Sequence, residues 1–485
     1  MDKLRQMFAK KDAGDGPGYE PVSDERMPLA LEDDRHSGYA SSLMEGELED
    51  DVDAAPFSWF EYSIFVLIGV AMLWAWNMFM AAAPYFQMRF SEDPSILAIF
   101  QSTIISVSTC TNLAAMLVLT NIQYSASYPF RINTALIINV IIFSLLTAST
   151  SIFLNVYADV YLLFLVVMVA GSAWACGLIQ NGAFAYAASF GRPEYTQAIM
   201  AGQGIAGVLP PLAQMVTVLV FPPPPPPGAN TIDPRAAAPN YEAVAAAGTS
   251  AFYYFMTAVV ISVAALVAFQ PLMRRHDRIV ENRMAQALSE SLASIEDAER
   301  AARKVVSLKT LFFKLHWVAL SVFICFVVTM FFPVFTPKVL SVRTDGGASA
   351  PAILQPPAFI PLAFFFWNLG DLLGRITTML PVPEVLQRRP VLLFAFGIAR
   401  LLFLPLYFLC NVGGRGAVVN SDLFYLLLVQ LPFGLSSGWL SSTAMMTAGE
   451  WVEDGEREAA GGFMGLCLVA GLAVGSFLSF TVASI

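Results

Sequence analysis

Inside a long apolar run, the stretch FFFWNLGDLLGR at 364–375 carries Asn368, Asp371 and Arg375. In a helix, Asp371 and Arg375 stand at i and i+4 and share a face, with Asn368 one turn earlier on that face. A carboxylate only accepts hydrogen bonds, and a guanidinium only donates them, as a planar fork. Together they suit a neutral ligand with several hydroxyl groups. A charge at the centre of a membrane helix costs about 2.5–3.5 kcal/mol, so such residues usually face the bundle interior and mark a solute or ion path. The competing reading is structural: Arg375, near the end of its span, snorkels to the interface while Asp371 neutralises it.

Other polar residues interrupt the apolar segments. LWAWNMFMAAAPYF places Trp74, Trp76 and Asn77 mid-span, and ACGLIQNGAFAYAASFG buries Gln180 and Asn181. Trp76 lies too deep for an interfacial belt and reads as a stacking surface. Gln180 either contacts a ligand or bridges two helices. Bond-making chemistry has no candidates: His36, His276 and His316 lie at or outside span ends. Cys110, Cys176, Cys325, Cys410 and Cys467 lie in or beside apolar segments without Cys-x-x-Cys spacing or histidine partners. No metal, cofactor, disulfide or nucleophilic triad is expected, and the chain reads as a non-enzyme.

The elements that must position these residues are membrane helices. At 485 residues, 56% hydrophobic, 13% charged and mean hydropathy +0.62, the composition lies outside the soluble range. A span needs about 20 apolar residues, and that template fits about eleven times. The segments are 57–83, 96–119, 131–154, 160–190, 195–221, 250–270, 316–335, 358–380, 390–412, 422–446 and 459–482.

The net charge of -10 is concentrated in residues 1–56, where 15 acids outweigh 6 bases. This reads as a disordered acidic tail rather than a signal peptide. The linker at 271–315 carries Arg274, Arg275, Arg278, Arg283, Arg300, Arg303, Lys304, Lys309 and Lys314. With the other connections on its side, it predicts a cytosolic N-terminus. The linker joins a six-helix half at 57–270 to a five-helix half at 316–485, and its stretch RMAQALSESLASIEDAERAARK reads as a polar amphipathic helix. After the fifth span, PPPPPPGANTIDPRAAAPNYEAVAAAG reads as an extended, then flexible connection. In the fifth span Gly202, Gly204 and Gly207 bare one face, and in the last Gly461/Gly465 and Gly471/Gly475 have close-packing spacing.

In order along the chain, "WN" and "PYF", "GQGIAG", "FWNLGDLLGR", "RLLFLPLYFLCN" and "GLSSGWLSSTAMM" resemble the equilibrative nucleoside transporter family, and the tail and proline-rich loop resemble those of fungal members. The resemblance implies an all-α membrane protein of about eleven transmembrane helices, six plus five, major-facilitator-like. Its activity would be facilitative nucleoside transport by alternating access. Trp76 would flank the nucleobase with Met80 one turn on, and Gln180 would bond the base edge. Asp371 and Arg375 would bind ribose hydroxyls, with Asn368 and Phe364 on the same wall. Arg400, inside the ninth span, and Glu458, just before the last, would pair as a cytosolic gate, unless Arg400 snorkels and Glu458 is a solvated helix-start acid. Trp367 and Ser436-Ser437 depart from the family pattern and bear on pocket width and base preference.

The expected partners are a nucleoside and membrane lipid, not nucleic acid, for a monomer in an internal, vacuole-like membrane. The plasma membrane is the alternative. Two other functions stay open: a carrier of another polar solute, such as a nucleobase, coupled to a proton on Asp371, and a non-transporting receptor or scaffold.

Overall fold

The computed structural model describes residues 57–91, 93–122, 127–152, 156–220, 241–290, 306–343, 351–380 and 388–482. The acidic tail, the proline-rich segment at 221–240 and linker residues 291–305 lie outside them. In chain order the principal helices are α1 Trp59–Ala81, α2 Pro94–Asn121, α3 Tyr128–Ile152, α4 Ala158–Ser189, α5 Pro193–Val220, α6 Tyr241–Glu290, α7 Leu308–Thr329, α8 Pro356–Thr377, α9 Val391–Ala399, α10 Leu431–Thr447 and α11 Arg457–Val482. Ten of the eleven, some with a short helical extension, are long and apolar enough to cross a membrane. The remaining apolar helix, Val391–Tyr407, is shorter. A 3₁₀ turn at Arg400–Leu402 interrupts it before Phe403–Tyr407, and Pro405 within the second piece supplies no backbone N–H.

Local sequence sets several boundaries. Asp93 caps α2 by accepting from the backbone N–H groups of Ser95 (3.0 Å) and Ile96 (3.2 Å), with Pro94 at the first helical position. Ser307 caps α7 through Thr310 N–H at 3.2 Å. α6 continues past 270, through Pro271, into the segment read from sequence as linker.

α1 packs on α5 and α6, and α3 and α2 pack on α4. In the second half α8 packs on α10, and α7 on α9, α10 and α11. The halves meet where α5 crosses α8 and α4 crosses α11. The α8–α10 crossing is a reciprocal glycine contact. A methyl group at Gly370 or Gly374 would run into the backbone of Leu431 and Leu435, and one at Gly434 or Gly438 into the backbone at Trp367 and Asp371. Such close approach replaces the hydrophobic drive that lipid cannot supply between helices.

Candidate functional site

A cavity of about 290 Å³ lies between the halves, lined by residues of α1, α2, α4 and α5 on one side and α7, α8, α10 and α11 on the other. Trp76, Gln180, Asn368, Asp371 and Arg375 all line it. Asp371 and Arg375 are each 5% exposed, which removes the snorkelling reading.

The Arg375 guanidinium donates from Nε to Asp371 Oδ2 at 2.6 Å, and from Nη1 to the Met200 carbonyl at 2.9 Å and Gln203 Oε1 at 3.2 Å. Nη2 has no hydrogen-bond partner among the described residues. The Arg375 carbonyl accepts from Gln197 Nε2 at 3.0 Å, and Gln197 Oε1 accepts from Tyr62 Oη at 2.7 Å. A chain of bonds thus runs from α8 through α5 to α1. Gly207 lets α5 approach here, since a Cβ there would stand 2.6 Å from Asn368 Oδ1. Asn368 donates to the Phe364 carbonyl at 2.8 Å, turning its amide across the helix.

The wall also holds polar atoms with nothing to bond. Asn112 Oδ1, Gln180 Oε1, Asp371 Oδ1 and Trp367 Nε1 are buried without a hydrogen-bond partner, and all four residues line the cavity. Buried polar atoms are normally satisfied, so a cluster of exceptions points to a ligand or ordered water. The acceptor and donor ends of the two amides can exchange by rotation. The set therefore matches a solute that both donates and accepts.

Met80 does not line the cavity; α1 presents Met72, Ala75, Trp76 and Phe79 there. Leu73 lines it as well, and Met80 shares their face by spacing, so its absence from the wall is not set by helical periodicity but by what packs around the end of α1. Phe364 is also outside the lining. Its ring lies 5.0 Å from that of Phe332, which stacks on Trp367 at 4.1 Å, so it belongs to the aromatic cluster around Trp367. Trp74 ties α1 to α6 through Thr257 Oγ1 at 3.1 Å, and Asn77 ties α1 to α5 through the Ala206 carbonyl at 2.7 Å.

Arg400 does not meet Glu458 in this conformation. It is 1% exposed and donates to the Cys325 carbonyl (2.8 Å), Cys325 Sγ (3.0 Å), Ser436 Oγ (3.1 Å) and Thr329 Oγ1 (3.2 Å), with its guanidinium over the Phe433 ring. Thr329 lines the cavity, so Arg400 stands behind the site. It neither snorkels nor faces the start of α11.

Three lining residues with amide or indole groups carry little signal in the sequence. Gln203 lies within the quoted GQGIAG but was not assigned a contact. Asn112 is a single amide in an otherwise apolar and hydroxyl-bearing stretch of α2. Trp367 registered only as a departure from the family pattern. Arg131, buried at the start of α3, is a further intramembrane cation: it bonds Asn181 and caps the end of α2 through the Leu119 (3.2 Å) and Ile122 (2.6 Å) carbonyls.

Residues 165–484 match the family described as nucleoside transporter. The Saccharomyces cerevisiae nucleoside transporter FUN26 is 30% identical over 464 residues, spanning 86% of this chain and 83% of its own. Human equilibrative nucleoside transporter 1 is 25% identical over 482 residues, 87% of this chain and 96% of its own. Among solved structures, the proton:xylose symporter XylE of the major facilitator superfamily has a similar fold, with a TM-score of 0.54 at 13% identity, over 87% of this chain and 86% of that one.

Proposed function

The chain belongs to the nucleoside transporter family, so its activity is facilitative passage of nucleosides rather than chemistry on them, and we propose that it works by alternating access around the Asp371–Arg375 pair. The observation that carries this reading is the position of that pair: on α8 of one half, bonded to α5 of the other, in the wall of a cavity that also holds the orphan polar atoms of Asn112, Gln180, Trp367 and Asp371.

Asp371 accepts ribose hydroxyls, and Arg375 donates from its unpartnered Nη2. Trp76 offers a face to the base, while Gln180 and Asn112 bond its edge. Asn368 closes the wall beside Gly207. No bond is made or broken, so the protein's work is to exchange hydration for these contacts at the midplane and release them on the other side.

The cavity reaches Phe79, Met330 and Ser476, towards the end opposite the N-terminus of α1. On the N-terminal side, the Tyr62–Gln197–Arg375 chain draws α1, α5 and α8 together. In this reading the closed side is cytosolic, the halves at 57–270 and 316–485 rock about the pair, and the protein is a monomer of a vacuole-like membrane. Both states exist without ligand, and the nucleoside shifts their balance.

Purified protein in liposomes, given labelled uridine with and without a pH gradient, tests the function. The expected result is saturable flux without a gradient. Flux only with a gradient transfers the reading to a proton-coupled carrier, and no saturable flux in either condition removes it. Imaging a tagged chain tests the membrane; a signal confined to the plasma membrane overturns the internal assignment.

A further inference from the structure

A second cavity, of about 270 Å³, lies at the end of the molecule that carries the N-terminus of α1. Lys314 and His316 of α7 line it with Arg388 and Arg389, just before α9, and with the indoles of Trp317 and Trp451. Among the described residues, no carboxylate contributes to its walls. Glu456 and Glu453 hold Lys314 at 2.6 and 3.7 Å, fixing the ammonium at the rim. Arg388 and Arg389 are exposed, and Arg389 makes no ion pair among the described residues. His316 Nδ1 lies 2.9 Å from the Phe313 carbonyl. Lys314 is compensated by Glu453 and Glu456, so the positive charge that the cavity offers comes from the exposed guanidinium groups of Arg388 and Arg389, which the substrate pathway does not use.

Its surroundings say what kind of anion fits. Trp317 lies 5.6 Å, ring to ring, from Phe394 of α9, joining the two helices beneath the cations. Trp317, Val391 and Phe396, which follow the basic residues along α7 and α9, are large, apolar and exposed, so an apolar face continues inward from them. Cations and indoles above a lipid-facing apolar surface are the composition of the headgroup zone. Guanidinium forks match phosphate oxygens two at a time. A soluble phosphate would satisfy the cations and leave the aromatic face uncovered, whereas a lipid covers both.

We propose that this basic cavity binds the phosphate headgroup of an anionic membrane lipid, whose acyl chains lie along the exposed faces of α7 and α9. The site is separate from the transport cavity and belongs to the leaflet on the N-terminal side.

The test is retention of phosphatidylserine against phosphatidylcholine by the purified full chain, read by native mass spectrometry and by thermal stability in nanodiscs of each lipid. At about 1 kcal/mol per basic residue, the double variant Arg388→Gln/Arg389→Gln should hold phosphatidylserine roughly 30-fold more weakly. It should also lose the stabilisation that phosphatidylserine confers on the wild type. Both side chains are exposed, so the fold is not at stake, and Arg343→Gln/Arg415→Gln at the opposite end controls for equal loss of charge. Equal retention by the two double variants overturns the proposal, as does wild-type protein that holds both lipids alike. Glycerophosphoserine, which lacks acyl chains, should fail to displace the lipid at equal concentration. Full displacement would assign the cavity to a soluble phosphate and overturn the lipid assignment.

Discussion

Arg375 binds Asp371 of its own helix at 2.6 Å and the Met200 carbonyl of α5, across the interface between halves, at 2.9 Å. The same guanidinium thus lines the cavity and ties the halves together. A solute that recruits Arg375 competes with the tie, which gives ligand occupancy a direct handle on conformation.

Removing either member of the pair leaves the other buried and unpaired, a loss of about 3–5 kcal/mol. Arg375→Ala should abolish uridine uptake in proteoliposomes, and Asp371→Asn should weaken it by roughly 100-fold or more. Arg375→Lys should also fail, because an ammonium cannot reach Asp371, Met200 and Gln203 with one planar fork. Wild-type rates from folded protein in the first two variants would leave the stripe purely structural.

Trp367→Phe retains an aromatic ring against Phe332 and deletes the unpartnered Nε1–H together with part of the buried indole. If that donor meets the nucleoside, KM should rise about two- to tenfold, the worth of one hydrogen bond, beyond the modest loss of thermal stability that the smaller ring itself causes. An unchanged KM would confine Trp367 to packing.

Gly438→Leu should be poorly folded. The added side chain meets the backbone at Asp371 and Arg375, where α8 and α10 touch, and overpacking costs about 1–3 kcal/mol or more when backbone must move. A drop in thermal midpoint and in recovered folded protein measures it. The exposed Gly413→Ala is not a matched control, because its φ of +66° itself disfavours a side chain.

Arg400 and Glu458 should behave independently. With Arg400 enclosed by Cys325, Thr329 and Ser436, the cycle of Arg400→Gln and Glu458→Gln should be additive in transport rate within about 0.3–0.5 kcal/mol. The charge-swapped pair should recover nothing. Partial recovery would mean that the two meet in another state of the transport cycle.

Much of the site was legible because helical periodicity is local. Spacing alone put Asn368, Asp371 and Arg375 on one face, and depth within a span singled out Trp76 and Gln180. Composition and span count established a helical membrane protein, and the motif order established the family resemblance. Periodicity says which residues share a face; it does not say how far a helix is rotated about its axis or what lies opposite. Those are set by contacts between distant segments. Gly207 lets α5 come up to Asn368, and the Gly370/Gly374 and Gly434/Gly438 ridges bring α10 against α8. Those contacts left Met80 out of the wall although it shares a face with Leu73 and Trp76, placed Phe332 beside Phe364, and gathered Asn112, Gln203 and Trp367 from three separate helices into one wall. They also enclosed Arg400 among neutral partners, a position that its depth in the span did not distinguish from a gate. Residue type and helical spacing determined which chemistry the membrane interior would hold, and the close approach of glycine-bearing backbones decided which of those groups meet.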